Sequence, residues 1–214
     1  MINVAFFGYR EWAYRIFQNL EKVKSPAWKI TDVSKADVVL YYGWSWKIPE
    51  EMYKNKLCLI LHTSPLPKYR GGSPLQHQII NGEEYSAITI LKVEEKIDTG
   101  DIYEQEGISL KGSLNDIFDR IVEKGTKSTI NVLYELATNA THCFPQDDSQ
   151  ATTYKRRKPE QSEITLLDFE TKPAKRLYDF IRCLADPYPN AYIKCADGKK
   201  LYLTGARIDE DDQE

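Results

Sequence analysis

The sequence predicts an α/β fold: a Rossmann-like, doubly wound, mostly parallel sheet with a small C-terminal α+β extension. Three observations predict it. Short apolar runs at residues 2–7, 37–42 and 56–61 have the length and composition of buried strands. Helical spacing recurs between and after them, first in Trp12, Ile16, Phe17 and Leu20, later in Leu114, Ile117, Ile121, Ile130, Leu133 and Leu136. Glycines punctuate the alternation at Gly8, Gly43 and Gly82.

Taken in order, residues 2–7 form a first strand that Gly8 ends, and a helix follows. The turn Gly8-Tyr9-Arg10-Glu11-Trp12 lacks the Gly-x-Gly-x-x-Gly that lets a pyrophosphate approach a helix N-terminus, which argues against a dinucleotide cofactor. Gly8 and Arg10 either meet an anionic substrate there or Arg10 is a surface arginine. Residues 29–33 are a weak second strand and 37–42 a strong third, followed by Gly43-Trp44-Ser45-Trp46-Lys47-Ile48-Pro49. A helical turn over 50–54 leads to the fourth strand, 56–61. That strand delivers His62 into a loop broken by Pro65 and Pro67.

Ser73 then starts a helix with Pro74 in its first turn, and Asn81-Gly82-Glu83 ends it. The run 87–93 reads as another strand, and Asp98-Thr99-Gly100-Asp101 turns the chain into 102–110. If 56–61 and 87–93 are sheet neighbours, His62 and Asp98 converge at one rim, an arrangement that orients an imidazole and stabilises its protonated form. Ser113-Leu114-Asn115-Asp116 resembles a capping box opening a long amphipathic helix. A polar stretch over 144–158, with Lys155-Arg156-Arg157-Lys158, reads as a linker. The expected division is therefore a catalytic domain, 1–143, and a linker with a small C-terminal subdomain, 144–214, closed by a hairpin over 191–203.

Composition narrows the class. With 214 residues, 42% hydrophobic and 29% charged, the chain is expected to be soluble and globular. No apolar run approaches the ~20 residues of a membrane span, and the N-terminus lacks a basic, cleavable leader, so the expected location is cytoplasmic with no membrane partner. Cys58, Cys143, Cys183 and Cys195 show no paired spacing and read as free thiols. The three histidines have no ligand spacing, so no metal is expected. A net charge of -3 includes five acidic residues within 209–214, which read as a solvated end. The remainder is near neutral, unlike a nucleic-acid binder.

The stretches His62-Thr63-Ser64-Pro65-Leu66-Pro67-Lys68-Tyr69-Arg70-Gly71-Gly72 and Ile97-Asp98-Thr99-Gly100-Asp101, with Pro74-Leu75-Gln76 and Asn81-Gly82-Glu83 between them, resemble the signature of the folate-dependent formyltransferases. That family includes methionyl-tRNA formyltransferase, glycinamide ribonucleotide transformylase and the sugar N-formyltransferases. The resemblance implies catalytic roles for His62 and Asp98 and a formyl donor, N10-formyltetrahydrofolate. A catalytic asparagine is expected two residues before the histidine, and here that position is Ile60.

The same resemblance implies folate contacts from Trp44, Trp46 and Ile48 and from Val93, Glu94 and Ile97, although the two tryptophans could equally cap the core. It implies acceptor contacts from Gly8, Arg10, Lys68 and Arg70. Residues 154–164 and 181–191 resemble segments of the sugar N-formyltransferases. Arg156 and Arg157 become candidates for a sugar nucleotide's phosphates, or else form a solvated turn. The tRNA-formylating members carry a longer C-terminal domain, so the acceptor expected here is a nucleotide-linked amino sugar, or another small phosphorylated amine, and not a nucleic acid.

In the mechanism that the resemblance implies, an amine attacks the formyl carbon, His62 donates toward the oxygen or the leaving nitrogen, and Asp98 orients His62. Ser64 braces the loop. Ile60 leaves open a non-catalytic binding protein, because losing one oxyanion donor costs about 10²- to 10³-fold in rate. Gln76 and Gln78 are the carboxamides available to replace it. They lie about 200° apart on a helix, so at most one faces the site. The expectation falls on Gln78, because family members that keep their asparagine also carry Gln or Asn at the position of Gln76.

Overall fold

A computed structural model describes residues 1–209 of the chain. Most of the acidic C-terminal run falls outside the described residues. The sheet-forming part runs β1 (Ile2–Gly8), α1 (Glu11–Glu21), β2 (Trp28–Ile30), β3 (Val38–Tyr42), α2 (Glu50–Asn55), β4 (Leu57–His62), β5 (Arg70–Gly71), α3 (Pro74–Ile80), β6 (Tyr85–Lys92), β7 (Ile102–Ser109) and α4 (Leu114–Thr138). There follow β8 (Thr153–Tyr154), α5 (Leu166–Thr171), α6 (Ala174–Cys183), β9 (Ala191–Lys194) and β10 (Lys200–Leu203).

Six strands form the central sheet in the order β2-β1-β3-β4-β6-β7. The pairs β1–β2, β1–β3 and β3–β4 are parallel, and β4–β6 and β6–β7 are antiparallel. Period-two alternation divides the side chains between two layers. Val38, Leu40, Tyr42, Leu59 and Leu61 meet the apolar stripes of α1, α4 and α6 in the main core, while Val39, Tyr41 and Cys58 pack in a smaller cluster with Ile48 and Met52. Helix α4 starts at the capping box expected from sequence, with Ser113 Oγ accepting from the Asp116 N–H and Asp116 accepting from the Ser113 N–H.

Two sequence expectations need correction. Strands β4 and β6 are neighbours, but they run antiparallel, with His62 opposite Thr89 and Leu59 opposite Lys92. The end of β6 therefore lies toward the start of β4, and the 93–101 loop must fold back to bring Asp98 to His62. The stretch 144–158 is also no free linker. Phe144 bridges to Ile102, and β8 pairs in parallel with β5, Arg70 opposite Thr153 and Gly71 opposite Tyr154. Ile164, Leu177, Ile181 and Ala191 join the main core, so the C-terminal part shares one hydrophobic interior with the sheet.

Glycines make the β5–β8 seam possible. A Cβ on Gly72 would stand 2.4 Å from the Arg156 nitrogen and 2.5 Å from its Cα, backbone atoms that cannot yield cheaply. Gly72→Ala is expected to lower stability by about 2 kcal/mol in urea denaturation, the cost of overpacking. Gly205→Ala, where no atom of the described residues lies within 4 Å, should stay within about 0.5 kcal/mol of the parent.

Candidate active site

The site is built at the carboxyl rim of β3 and β4, where open α/β sheets place their ligands. His62 is the last residue of β4, and its side chain is only 7% exposed. Its Nε2 lies 2.8 Å from the carbonyl oxygen of Tyr69. A carbonyl only accepts, so Nε2 carries a proton and donates it there. Nδ1 faces Asp98 Oδ2 at 3.5 Å, beyond the usual hydrogen-bond range. An imidazole N–H directed freely at a substrate, as the sequence suggested, is therefore not what the structure presents. Both nitrogens have acceptors beside them, and the looser contact is on the Asp98 side.

Asp98 is reached by a left-handed backbone, φ 56°, and its Oδ2 also accepts from the Gly71 N–H at 2.8 Å. Its loop is fastened by a residue that carried no sequence signal. The Gln146 side-chain N–H₂ donates to the carbonyls of Asp98 and Gly100 at 2.9 and 2.8 Å. Gln146 Oε1 in turn accepts from Arg70, whose guanidinium also pairs with Asp148 at 2.7 Å. Arg70 thus uses Nε and Nη2 to hold the Asp98 loop, and it is not among the residues that line the neighbouring cleft. Ser64 Oγ donates to the Lys68 carbonyl at 2.8 Å, within the loop that carries Tyr69.

Beside this pair lies a cleft of about 200 Å³, open to solvent. Its walls include Trp44, Ile60, His62 and Gln76 from the sheet-forming part and Arg156, Arg157, Lys158 and Tyr188 from the C-terminal part. Arg10 joins them from the start of α1, packed so close that a Cβ on Gly43 would stand 2.8 Å from its Cγ. The Arg10 guanidinium lies over the rings of Tyr9 and Tyr188, at 5.0 and 5.5 Å. Burial pushes the Tyr188 hydroxyl up to about 12, against the opposing pull of Arg10.

Among the described residues, two buried side-chain donors have no partner, Trp44 Nε1 and Arg157 Nε, and both residues line this cleft. Unpaired buried donors are rare enough to mark a place where a ligand supplies the acceptor. Among the described residues, the Arg157 side chain otherwise donates only to the Gln161 carbonyl and lies over Phe180. Its burial pulls the guanidinium below its ordinary pKa, and no carboxylate offsets that.

The remaining candidates fall elsewhere. Trp46 packs edge-on against Trp44 but is 56% exposed, and Ile97 is 74% exposed. Ile48 is buried in the smaller apolar cluster, where Val93 and Trp44 also pack. Glu94 pairs with Lys92 on the surface. Gly8 and Lys68 are exposed and outside the cleft walls.

Gln78, the expected replacement donor, is fully buried and satisfied. Its Nε2 donates to the carbonyls of Thr63 and Pro74, and its Oε1 accepts from Ser86 Oγ at 2.6 Å. Sequence alone cannot say which side of a short helix docks inward, and α3 turns Gln78 to the protein and Gln76 to the cleft.

Comparison with known proteins accords with this geometry. Residues 9–133 match the sequence model described as Formyl transferase. The chain belongs to the formyl transferase family. Residues 159–213 match a second model, described as the methionyl-tRNA formyltransferase C-terminal domain. A methionyl-tRNA formyltransferase of Lachnospira eligens is 34% identical over 177 residues, covering 81% of this chain and 54% of that protein. The chain thus spans about half the length of the curated relatives it matches. The solved structure of methionyl-tRNA formyltransferase from Clostridium thermocellum superposes with a TM-score of 0.80 at 30% identity, covering 95% of this chain and 97% of that one. A 4-N formyltransferase from Francisella tularensis shares the fold, with a TM-score of 0.79 at 18% identity over 98% of both chains.

Gln78→Ala is expected to cost about 3 kcal/mol of stability, since it leaves the Ser86 hydroxyl and two buried carbonyls short of a partner. Thermal or urea unfolding measures it. A Gln78→Ala protein as stable as the parent would mean that the amide is not the buried strut described above.

Proposed function

We propose that this chain transfers a formyl group from N10-formyltetrahydrofolate to the primary amine of a nucleotide-linked amino sugar. The observation that carries the acceptor is charge. Among the described residues, Arg10, Arg156, Arg157 and Lys158 line a cleft whose walls include no aspartate or glutamate. A half-buried guanidinium whose enclosed Nε has no partner among the described residues suits an anion from outside, and phosphate oxygens match its planar fork.

The folate fits the aromatic group beside the cleft. Phe7, Tyr41 and Trp46 each pack against Trp44, and the spare Trp44 N–H suits a flat heterocycle rich in acceptors. When bound, the folate supplies the one-carbon group. In this reading Asp98 holds the imidazole, and His62 moves the proton. The amine loses a proton as it bonds to the formyl carbon, and the folate nitrogen gains one as its bond to that carbon breaks. The looser side of His62 is Nδ1, 3.5 Å from Asp98, since the Tyr69 carbonyl takes Nε2 at 2.8 Å, so the proton exchange assigned to His62 needs Nδ1 to turn from Asp98 toward the substrate.

A second acceptor, an aminoacyl-tRNA, is favoured by one observation, the match of residues 159–213 to a methionyl-tRNA formyltransferase C-terminal domain. It would also present phosphates to the basic wall.

Incubation with formyltetrahydrofolate and a panel of amino-sugar nucleotides, with methionyl-tRNA as a parallel acceptor, tests the proposal. Formylation of a sugar nucleotide is expected, and turnover of methionyl-tRNA alone would replace the sugar reading with the tRNA one. His62→Ala or Asp98→Asn should lower kcat by about 10³-fold or more while binding of a folate analogue persists. Arg157→Ala should raise KM for the acceptor about tenfold and leave that for the folate unchanged. Equal effects on the two KM values would remove Arg157 from the acceptor site.

A further inference from the structure

Ile60 and His62 are two residues apart on β4, so they face the same side of the sheet, and both line the cleft. Where the family pattern has an asparagine carboxamide beside the histidine, this chain offers an apolar side chain. We infer that Gln76 supplies the missing carboxamide and donates a hydrogen bond to the formyl oxygen. This rests on the folate-dependent reading above.

Three observations carry it. First, Gln76 is 5% exposed, yet its side chain makes no hydrogen bond with any other described residue. Its amide is not one of the fully buried orphaned donors, so the surface that it keeps is on the cleft, where its N–H groups are open to a ligand. Second, the neighbouring amide cannot serve, because all of Gln78's polar atoms are engaged inside the protein. With the two about 200° apart on α3, fixing Gln78 inward directs Gln76 outward to the cleft.

Third, α3 begins where the site's two halves meet. Ser73 adopts a left-handed backbone, φ 53°, and makes no cap hydrogen bond to its own helix. Its Oγ instead accepts from the Arg157 N–H at 3.1 Å. The turn that carries Gln76 is thus tied to the basic wall on one side and follows the His62 loop on the other. A carboxamide has two N–H donors, so one can serve the formyl oxygen and leave another for the acceptor.

Among the described residues, Trp44 Nε1 is the fully buried donor without a partner on the sheet side. It belongs to the aromatic group proposed to face the heterocycle, so its loss should weaken binding of any folate, formylated or not. That difference allows a test that does not depend on turnover.

Affinities for 10-formyl-5,8-dideazafolate and for 5,8-dideazafolate, which lacks the formyl group, are measured by titration calorimetry. The parent protein is expected to prefer the formylated analogue by about tenfold. Gln76→Ala and Gln76→Glu should lose that preference while binding the unformylated analogue as before. Trp44→Phe should weaken both alike. Adding Ile60→Asn to Gln76→Ala should restore the preference, and kcat should follow it down and up by about 10²-fold.

A Gln76→Ala protein that keeps the formyl preference overturns the inference. So does one that loses affinity for both analogues equally, since Gln76 would then only support the wall. A parent protein that binds neither analogue overturns the folate-dependent function itself, and this inference with it.

Discussion

The carboxylate of Asp98 is the tie on which the site depends. It lies at the tip of a loop from the antiparallel side of the sheet, and it meets His62 from the parallel side and the backbone of Gly71 from the proline loop. Three separated segments are thus fixed relative to one another by one side chain that is 7% exposed. A carboxylate buried to that degree has to be satisfied, so the loop must adopt the backbone conformation that delivers it. The Arg70–Gln146 arrangement holds that loop in place through its carbonyls.

Much of this was legible in the sequence because it is local. Strand length, helical spacing and the Ser113 capping box are written within a few neighbouring residues, and the structure has strands, helix and cap at those places. His62 and Asp98 could be paired because the motif fixes their spacing. What was not legible depends on docking. The direction of β6 relative to β4 cannot be read from two apolar runs. Whether Gln76 or Gln78 faces the cleft depends on which side of α3 lies against Ser86. Arg70 looked available because its partners, Gln146 and Asp148, are more than seventy residues away, in a stretch whose polarity imitates a linker. Polar segments of that kind are usually solvated. Here the polar groups bind the Asp98 loop.

The cleft divides its tasks between two parts of the chain. Residues from the sheet-forming part surround the histidine, and three of the four cations come from one short stretch, 156–158. The seam between β5 and β8 holds that stretch in register with the Gly71 amide that Asp98 accepts from. Positioning of the acid and of the basic wall is therefore coupled through a few backbone contacts at glycines. Changing the charged side chains alters what the wall attracts, while changing the glycines disturbs both halves together.

That seam has a consequence for how the protein is made. Tyr69 and Thr152, hydrogen-bonded at the same junction, are 83 residues apart, so this is among the contacts that a growing chain can form only late. The sheet can begin to assemble as its strands leave the ribosome, since most neighbouring strands are close in sequence. The basic wall cannot join it until the chain has been synthesised well past Tyr154. During that interval β5 has no strand beside it, and the Tyr69 amide lacks the Thr152 hydroxyl. A nascent chain in this state has its histidine in place before it has a site that can attract an anion.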